Sequence, residues 1–157
     1  MSTSQYVRDP LQNLPNVSFL AYSGSSQVIV NGIINFITLE QALYNNGNYY
    51  DTSSGLFKPL VAGLYYVGFH CSWTAAFSSD AIFTTSIYKN ETALCTAFQG
   101  APINLNIVSS LNYFVTMDGV TDILSVQGEI SGNSGVNGSL IHGQPSTYFS
   151  SFLVDAS

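Results

Sequence analysis

Residues 50–73 read YDTSSGLFKPLVAGLYYVGFHCSW, and this stretch decides the fold of the chain. A turn at 51–55 is followed by a short strand and then by a long aromatic strand that begins at Gly63. Successive side chains of a strand point to opposite faces. One face therefore carries Tyr65, Val67, Phe69 and Cys71, and the other carries Leu64, Tyr66 and His70. Because both faces are largely apolar, we expect both to be covered, whereas a strand on a solvated sheet would be polar on one side.

The composition predicts a single folded domain with few charges on its surface. The chain has 157 residues, enough for one domain with a substantial core, and 46% of them are hydrophobic, which argues against disorder. Only 8% are charged, against about 25% in ordinary globular chains. We interpret this shortage as a sign of extensive subunit burial; a surface of uncharged polar groups is the simpler alternative.

The charge balance argues against two classes of partner. The net charge is −6, and the fixed positive charges are Arg8, Lys58 and Lys89. Without a basic patch, we expect no binding to nucleic acid or to an anionic membrane. No apolar run approaches the roughly 20 residues of a membrane span, and residues 1–16 lack the pattern of a signal peptide, so we expect no membrane insertion either.

Segments rich in Val, Ile, Thr, Tyr and Phe predict many short antiparallel strands and no strong helix. The predicted strands are 17–22, 27–30, 33–38, 49–57 with an internal turn, 63–73, 82–88, 92–98, 106–117, 123–130 and 148–154. Residues 39–44 are a short helical candidate, 89–91 and Asp118-Gly119 are turns, and 131–147 form one long loop. The pattern predicts an all-β sandwich or jelly roll over 17–157, preceded by an extended arm over 1–16.

The spacing of aromatic residues resembles that of the globular head domain of complement C1q, which shares its fold with tumour necrosis factor. The positions that match this family's pattern are Asn45, Tyr50, Phe57, Gly63, Tyr65 and Phe69, while Leu39 and Val67 replace phenylalanines of the pattern. Two further segments, 121–126 and 146–154, resemble the entry into the family's penultimate strand and its closing strand. The resemblance spans residues 17–155.

The resemblance implies a ten-stranded antiparallel jelly roll that assembles as a homotrimer and is not an enzyme. It also supplies a cover for the second face of the strand at 63–73. We expect Tyr65, Val67, Phe69 and Cys71 to face the core, and Leu64, Tyr66 and His70 to form the trimer interface.

Calcium is the one cofactor that the resemblance suggests, since relatives often carry it near the trimer apex. Asp118 and Asp122, together with Asp80, are the candidate ligands. The turn at Asp118-Gly119 explains the first aspartate without a metal, however, and calcium needs about 6–8 oxygen ligands.

No set of residues in the sequence predicts catalysis. His70 and Cys71 are neighbours on a strand, so their side chains point to opposite faces and cannot form a nucleophile-base pair. We expect His70 to be a hydrogen-bonded packing residue and His142 to be exposed in its loop. Cys71 and Cys95 could pair, but a reduced core thiol at Cys71 is the better interpretation.

A polar and aromatic cluster is the candidate for a ligand-binding loop. It consists of Tyr44, Asn45, Asn46, Asn48 and Tyr49. Such residues are common on recognition surfaces. A purely structural pair of tyrosines is the alternative.

Two functions follow as hypotheses. The first is a virion surface protein, a capsid decoration trimer or a fibre knob, in which residues 1–16 dock on the particle while 41–50 and 131–147 face outward toward a host glycan or protein. The second is a secreted or cell-surface recognition module that binds glycans or proteins outside the cell. The sparse charge and the proline-containing arm favour the first. An enzyme is not expected, because no nucleophile, base and orienting group come together.

Overall fold

The computed structural model describes residues 14–74, 81–101, 106–132 and 135–157. This part of the chain is built from strands and turns, and it contains no helix that is long and apolar enough to cross a membrane. The strands are β1 (Ser18–Tyr22), β2 (Val28–Ile29), β3 (Ile34–Phe36), β4 (Gln41–Asn46), β5 (Tyr50–Asp51), β6 (Leu56–Phe57), β7 (Gly63–Thr74), β8 (Ala81–Lys89), β9 (Thr92–Ala101), β10 (Ile107–Met117), β11 (Leu124–Gly132), β12 (Gly138–Leu140) and β13 (Thr147–Ala156).

The strands form two sheets that face each other across one core. In the first sheet the order is β2-β12-β7-β13-β1-β4. Strand β10 also pairs with β7, along the edge opposite to β13. In the second sheet the order is β5-β6-β11-β8-β9, and β3 also pairs with β11. The pairings between these strands are antiparallel. The predicted antiparallel jelly-roll sandwich is therefore confirmed.

Strand β7 lies inside the first sheet, and its inward face forms much of the core. Tyr65, Val67, Phe69 and Cys71 are buried, as the alternation predicted, and Trp73 continues the row. Rings from distant parts of the chain pack beside them. Phe19 stacks on Tyr50 with ring centroids 4.5 Å apart and meets Phe149 edge-on at 5.0 Å. The first, middle and last strands thus share one aromatic core.

Two strands lie where the sequence analysis expects a helical candidate or a loop, and those expectations are wrong. Strand β4 overlaps the helical candidate from Gln41 onward and pairs with β1, with Tyr44 opposite Leu20. Strand β12 lies inside the expected loop at 131–147, because Leu140 is fully buried opposite Trp73. Since the stretch 49–57 also divides into β5 and β6, the described chain has thirteen strands where ten were expected.

The two predicted turns are present. Between β8 and β9, Asn90 and Glu91 have φ values of 48° and 67°, the pattern of a two-residue type I′ hairpin. Gly119 follows Asp118 with a φ of 70°, and a Cβ added there would lie 2.5 Å from the backbone nitrogen of Ala62. Both the dihedral angle and the space therefore require glycine at this turn.

Candidate functional site

The outer face of the first sheet is the surface that the structure builds from the predicted interface residues. Leu64, Tyr66 and His70 all lie on it, half-buried, with Gly68 between the last two. The register brings residues of β10 and β13 beside them, so that Tyr66 lies between Phe114 and Phe152. The outer face thus combines three strands that are far apart in the chain.

An aromatic cluster forms one half of the outer face. The ring of Tyr66 lies 5.4 Å from that of Phe114 and 5.1 Å from that of Phe152. Phe114 and Phe152 are 58% and 49% exposed. The hydroxyl of Tyr66 donates a hydrogen bond of 2.6 Å to Oδ1 of Asn112. This leaves a cluster whose polar tip is paired and whose apolar rims are open to solvent.

His70 and Tyr148 form the other half of the outer face. Their rings stack with centroids 5.2 Å apart, and Nδ1 of His70 shares a hydrogen bond of 2.7 Å with Oγ of Ser110. Burial lowers the pKa of His70 below its usual value. Ser110 was not predicted from the sequence, because only the register of β10 with β7 places it opposite His70.

The His70–Ser110 pair does not make a catalytic unit with any other described residue. Within the described chain, Ser110 is the one side chain that hydrogen-bonds to His70, so no carboxylate orients the imidazole. Cys71 lies on the opposite face, as predicted, and burial raises the pKa of its thiol to about 12. Both cysteines are free, and His142 is exposed, also as predicted.

A pit of about 150 Å³ separates the two halves of the outer face. Its floor is Gly68, and Asn112, Tyr148 and Ser150 stand around it. A Cβ added at Gly68 would lie 3.2 Å from Oδ1 of Asn112 and 3.4 Å from Oγ of Ser150. The missing side chain therefore makes a small polar recess in the middle of an otherwise aromatic surface.

The calcium candidates Asp118 and Asp122 are engaged in hydrogen bonds within the protein. Asp118 accepts from the hydroxyl of Thr121 and from the backbone N–H of Asp122 and Val120, and these bonds hold its pKa well below the usual range. Asp122 forms an ion pair of 2.8 Å with Lys89.

The calcium hypothesis keeps only two described ligands. Asp80 lies outside the described residues. The part of the chain that the structure describes holds no group of three or more His, Cys, Asp or Glu side chains placed to bind a metal. Calcium binding at Asp118 and Asp122 stays an untested alternative to a turn that needs no metal.

The predicted ligand-binding loop is divided between a strand and a turn. Tyr44, Asn45 and Asn46 belong to β4, so placing them in a loop is wrong. Asn45 makes two hydrogen bonds to the backbone of Tyr50, and Asn46 donates to Oγ of Ser18 at 2.8 Å. Both amides are thus used in hydrogen bonds within the protein, and those of Asn45 to the backbone stabilise the turn that leads to Tyr50.

The other three members of that cluster lie on two separate surfaces. Tyr44 is exposed, on the outer face of the first sheet, because it lies opposite Leu20 in the register. Asn48 and Tyr49 line a hollow of about 390 Å³ beside Lys58. The five residues therefore do not form a single ligand-binding loop.

Comparison with known proteins places this architecture in a family. A model of the C1q domain matches residues 19–154. The structure is similar to the globular domain of zebrafish complement 1qA protein, with a TM-score of 0.69 and 15% identity over 90% of this chain and 99% of that one. No curated protein sequence matches the chain.

Members of the tumour necrosis factor group have the same fold. Eiger TNF from S. frugiperda gives a TM-score of 0.66 at 9% identity, covering 90% of this chain and 94% of that one. Murine APRIL gives 0.66 at 9% identity, covering 88% and 99%. At such low identity these likenesses show the fold alone, whereas the family model covers most of the sequence. This chain therefore belongs to the C1q domain family.

Proposed function

We propose that the chain is a non-catalytic binding module that works as a homotrimer, with subunits meeting through the outer face of the first sheet. Proteins with the C1q and TNF fold are generally non-enzymatic and typically form homotrimers. The observation that carries the proposal is the half-exposed aromatic cluster of Tyr66, Phe114 and Phe152. Removing apolar surface from water contributes about 25 cal/mol per Å² to the free energy of association, against which the entropic cost of bringing subunits together must be set.

The polar groups of the outer face support the same proposal. The hydroxyl of Tyr66 is bonded to Asn112, and Nδ1 of His70 is bonded to Ser110, within one subunit. Burying an unpaired polar group is costly, whereas burying a paired one costs far less. This face can therefore be covered by a second copy without breaking the hydrogen bonds it already has.

Sedimentation of the purified protein tests the assembly. The wild type is expected to have the mass of three chains, and the double variant Phe114→Glu/Phe152→Glu the mass of one. Phe98→Glu is the matched control, because Phe98 is 72% exposed on β9 of the second sheet. A monomeric wild type, or a double variant that still forms trimers, would rule the interface out.

We also propose that the trimer is mounted on a virion surface through residues 1–16. The sparse charge, 3 Lys or Arg and 9 Asp or Glu in 157 residues, suits a protein packed against many neighbours. The described end of this segment is attached to the domain: Leu14 packs against the core, and Asn16 accepts a hydrogen bond of 3.2 Å from Oγ of Ser18.

Labelling of purified virions with an antibody against the chain tests this location. Label on the particle surface is expected, and virions free of the chain would refute the proposal. A chain lacking residues 1–13 keeps Leu14 and Asn16, so it should remain a trimer but lose attachment to stripped particles. Recovery of the chain only from the extracellular medium would favour a secreted recognition module instead.

A further inference from the structure

The outer face of the second sheet holds a groove that the proposed function does not use. It has a volume of about 520 Å³, within the range of small-molecule sites. Its apolar wall is Phe36, Leu56 and Ile123, and its floor is Ser125 and Gln127 of β11. We call these five residues the sheet groove. It is on the sheet opposite the proposed subunit interface, so it does not rest on the trimer.

Two polar side chains on the groove floor lack partners. Gln127 and Ser125 are each 7% exposed, and both line the groove. Neither side chain has a hydrogen bond to any described residue. Buried amides and hydroxyls are almost always hydrogen-bonded, because leaving them unpaired costs free energy. The polar atoms of both side chains reach the solvent in the groove, since neither is among the fully buried unpaired atoms. A ligand seated in the groove can therefore replace the water that bonds them.

Two polar side chains close to the groove floor do have partners within the protein. Gln27 donates to the carbonyl of Phe36 and accepts from the backbone N–H of Thr38, so both ends of its amide are engaged at the end of β3. Ser86 lies directly opposite Gln127 on the neighbouring strand β8, and its Oγ is 2.8 Å from Oγ1 of Thr96. Ser86 thus has a partner within the protein, whereas its neighbour Gln127 is left open to the groove.

The chemistry of the sheet groove fits an uncharged sugar. A primary amide and a hydroxyl each donate and accept, as sugar hydroxyls do. Phe36 is 55% exposed and offers an apolar ring against which the C–H face of a sugar can pack. The carboxylate of Glu91 stands at the rim as a further acceptor and disfavours anions.

A peptide fits this surface less well. Strand β11 pairs with β8 along one edge and with β6 and β3 along the other, so its backbone offers no free edge to an added strand. Recognition must therefore come from side chains on the face of the sheet. We propose that the sheet groove binds a neutral hexose or N-acetylhexosamine unit of a glycan.

Titration calorimetry with the intact chain tests the proposal. The probes are N-acetylglucosamine, its β1,4-linked dimer, lactose, and sialyllactose as the anionic comparison. At least one neutral probe should bind at millimolar concentration or tighter. Gln127→Leu and Phe36→Ala should each weaken binding about tenfold or more, because each removes a principal contact.

The control variant is Gln144→Leu, which makes the same change at an exposed position outside the groove. It should bind as the wild type does. Melting temperature and sedimentation show whether each variant is folded and assembled. Failure of every neutral probe to bind, binding of sialyllactose alone, or unchanged binding by a folded Gln127→Leu variant would overturn the proposal. A monomeric protein that binds a neutral probe would refute the proposed trimer and support the proposed glycan site.

Discussion

The ring of His70 stacks on the ring of Tyr148 with centroids 5.2 Å apart and planes 15° from parallel, on the outer face of the first sheet. Burial in this position lowers the pKa of the imidazole. The neutral form is therefore the one that the packed surface favours, since burial penalises the charged form. Covering the same face with another subunit would increase that preference.

We expect the assembly to weaken in mild acid. Because the pKa of His70 is lower in the folded subunit, the unfolded chain binds the proton more readily, and further burial of His70 between subunits would extend this effect to the assembly. This contribution to stability is complete above the ordinary pKa of about 6.5 and is lost as the pH falls through the lowered value. Sedimentation and thermal melting between about pH 7.5 and about pH 5 measure it. His70→Gln should flatten the pH dependence, whereas His142→Gln, at an exposed site, should not. Identical profiles for wild type and His70→Gln would contradict the assignment.

Gly128→Ala should destabilise the fold, because the core leaves no room for a methyl group. A Cβ at this position would lie 2.3 Å from Cη2 of Trp73 and 3.2 Å from Cδ1 of Ile37. Overpacking of this kind costs about 1–3 kcal/mol. Gly100→Ala is the control, since no atom lies within 4 Å of its added Cβ. Denaturant titration compares the free energies of unfolding, and equal losses in the two variants would show that Trp73 has room to move.

Glu91→Gly should stabilise the β8–β9 hairpin. Glu91 has a φ of 67°, a conformation that glycine adopts freely. For other residues this conformation costs about 1–2 kcal/mol. Glycine avoids that cost but loses more chain entropy on folding, so we expect the free energy of unfolding to rise by about 1 kcal/mol. Glu91→Gln removes the charge and keeps the strain, and should give no gain in thermal or denaturant unfolding. If the glycine variant is no more stable than the glutamine variant, the turn is not strained.

Asp118→Ala should lower the melting temperature, and added calcium should leave the wild-type melting temperature unchanged. The carboxylate already accepts hydrogen bonds from Thr121, Asp122 and Val120, so it organises the turn without a metal. Its depressed pKa means that this stabilisation is present above the ordinary aspartate pKa of about 3.9 and is lost as the pH falls further. Calorimetry and melting with and without calcium check both points. A calcium-induced rise in the melting temperature that Asp118→Ala abolishes would establish a metal site.

Local alternation of residues was sufficient to predict the inward face of β7. Tyr65, Val67, Phe69 and Cys71 lie two positions apart, and a strand must place such residues on one side. The hairpin at Asn90-Glu91 and the turn at Asp118-Gly119 were likewise predictable, because turn geometry depends on the few residues that form it. Strand β4 was missed because Gln41–Asn46 lacks β-branched residues, and it is a strand through its pairing with β1.

The sequence by itself determined the fold class, the alternation of the long strand and the family, because these depend on spacing along the chain. Only the tertiary structure decided which residues share a surface. The register of β7 with β10 and β13 brings Phe114, Phe152, Ser110 and Tyr148 beside Tyr66 and His70. The pairing of β3 with β11 places Phe36 opposite Gln127, a residue 91 positions later, and so creates the sheet groove. Strand pairing joins segments that are distant in the chain, and no local pattern records which residues will meet.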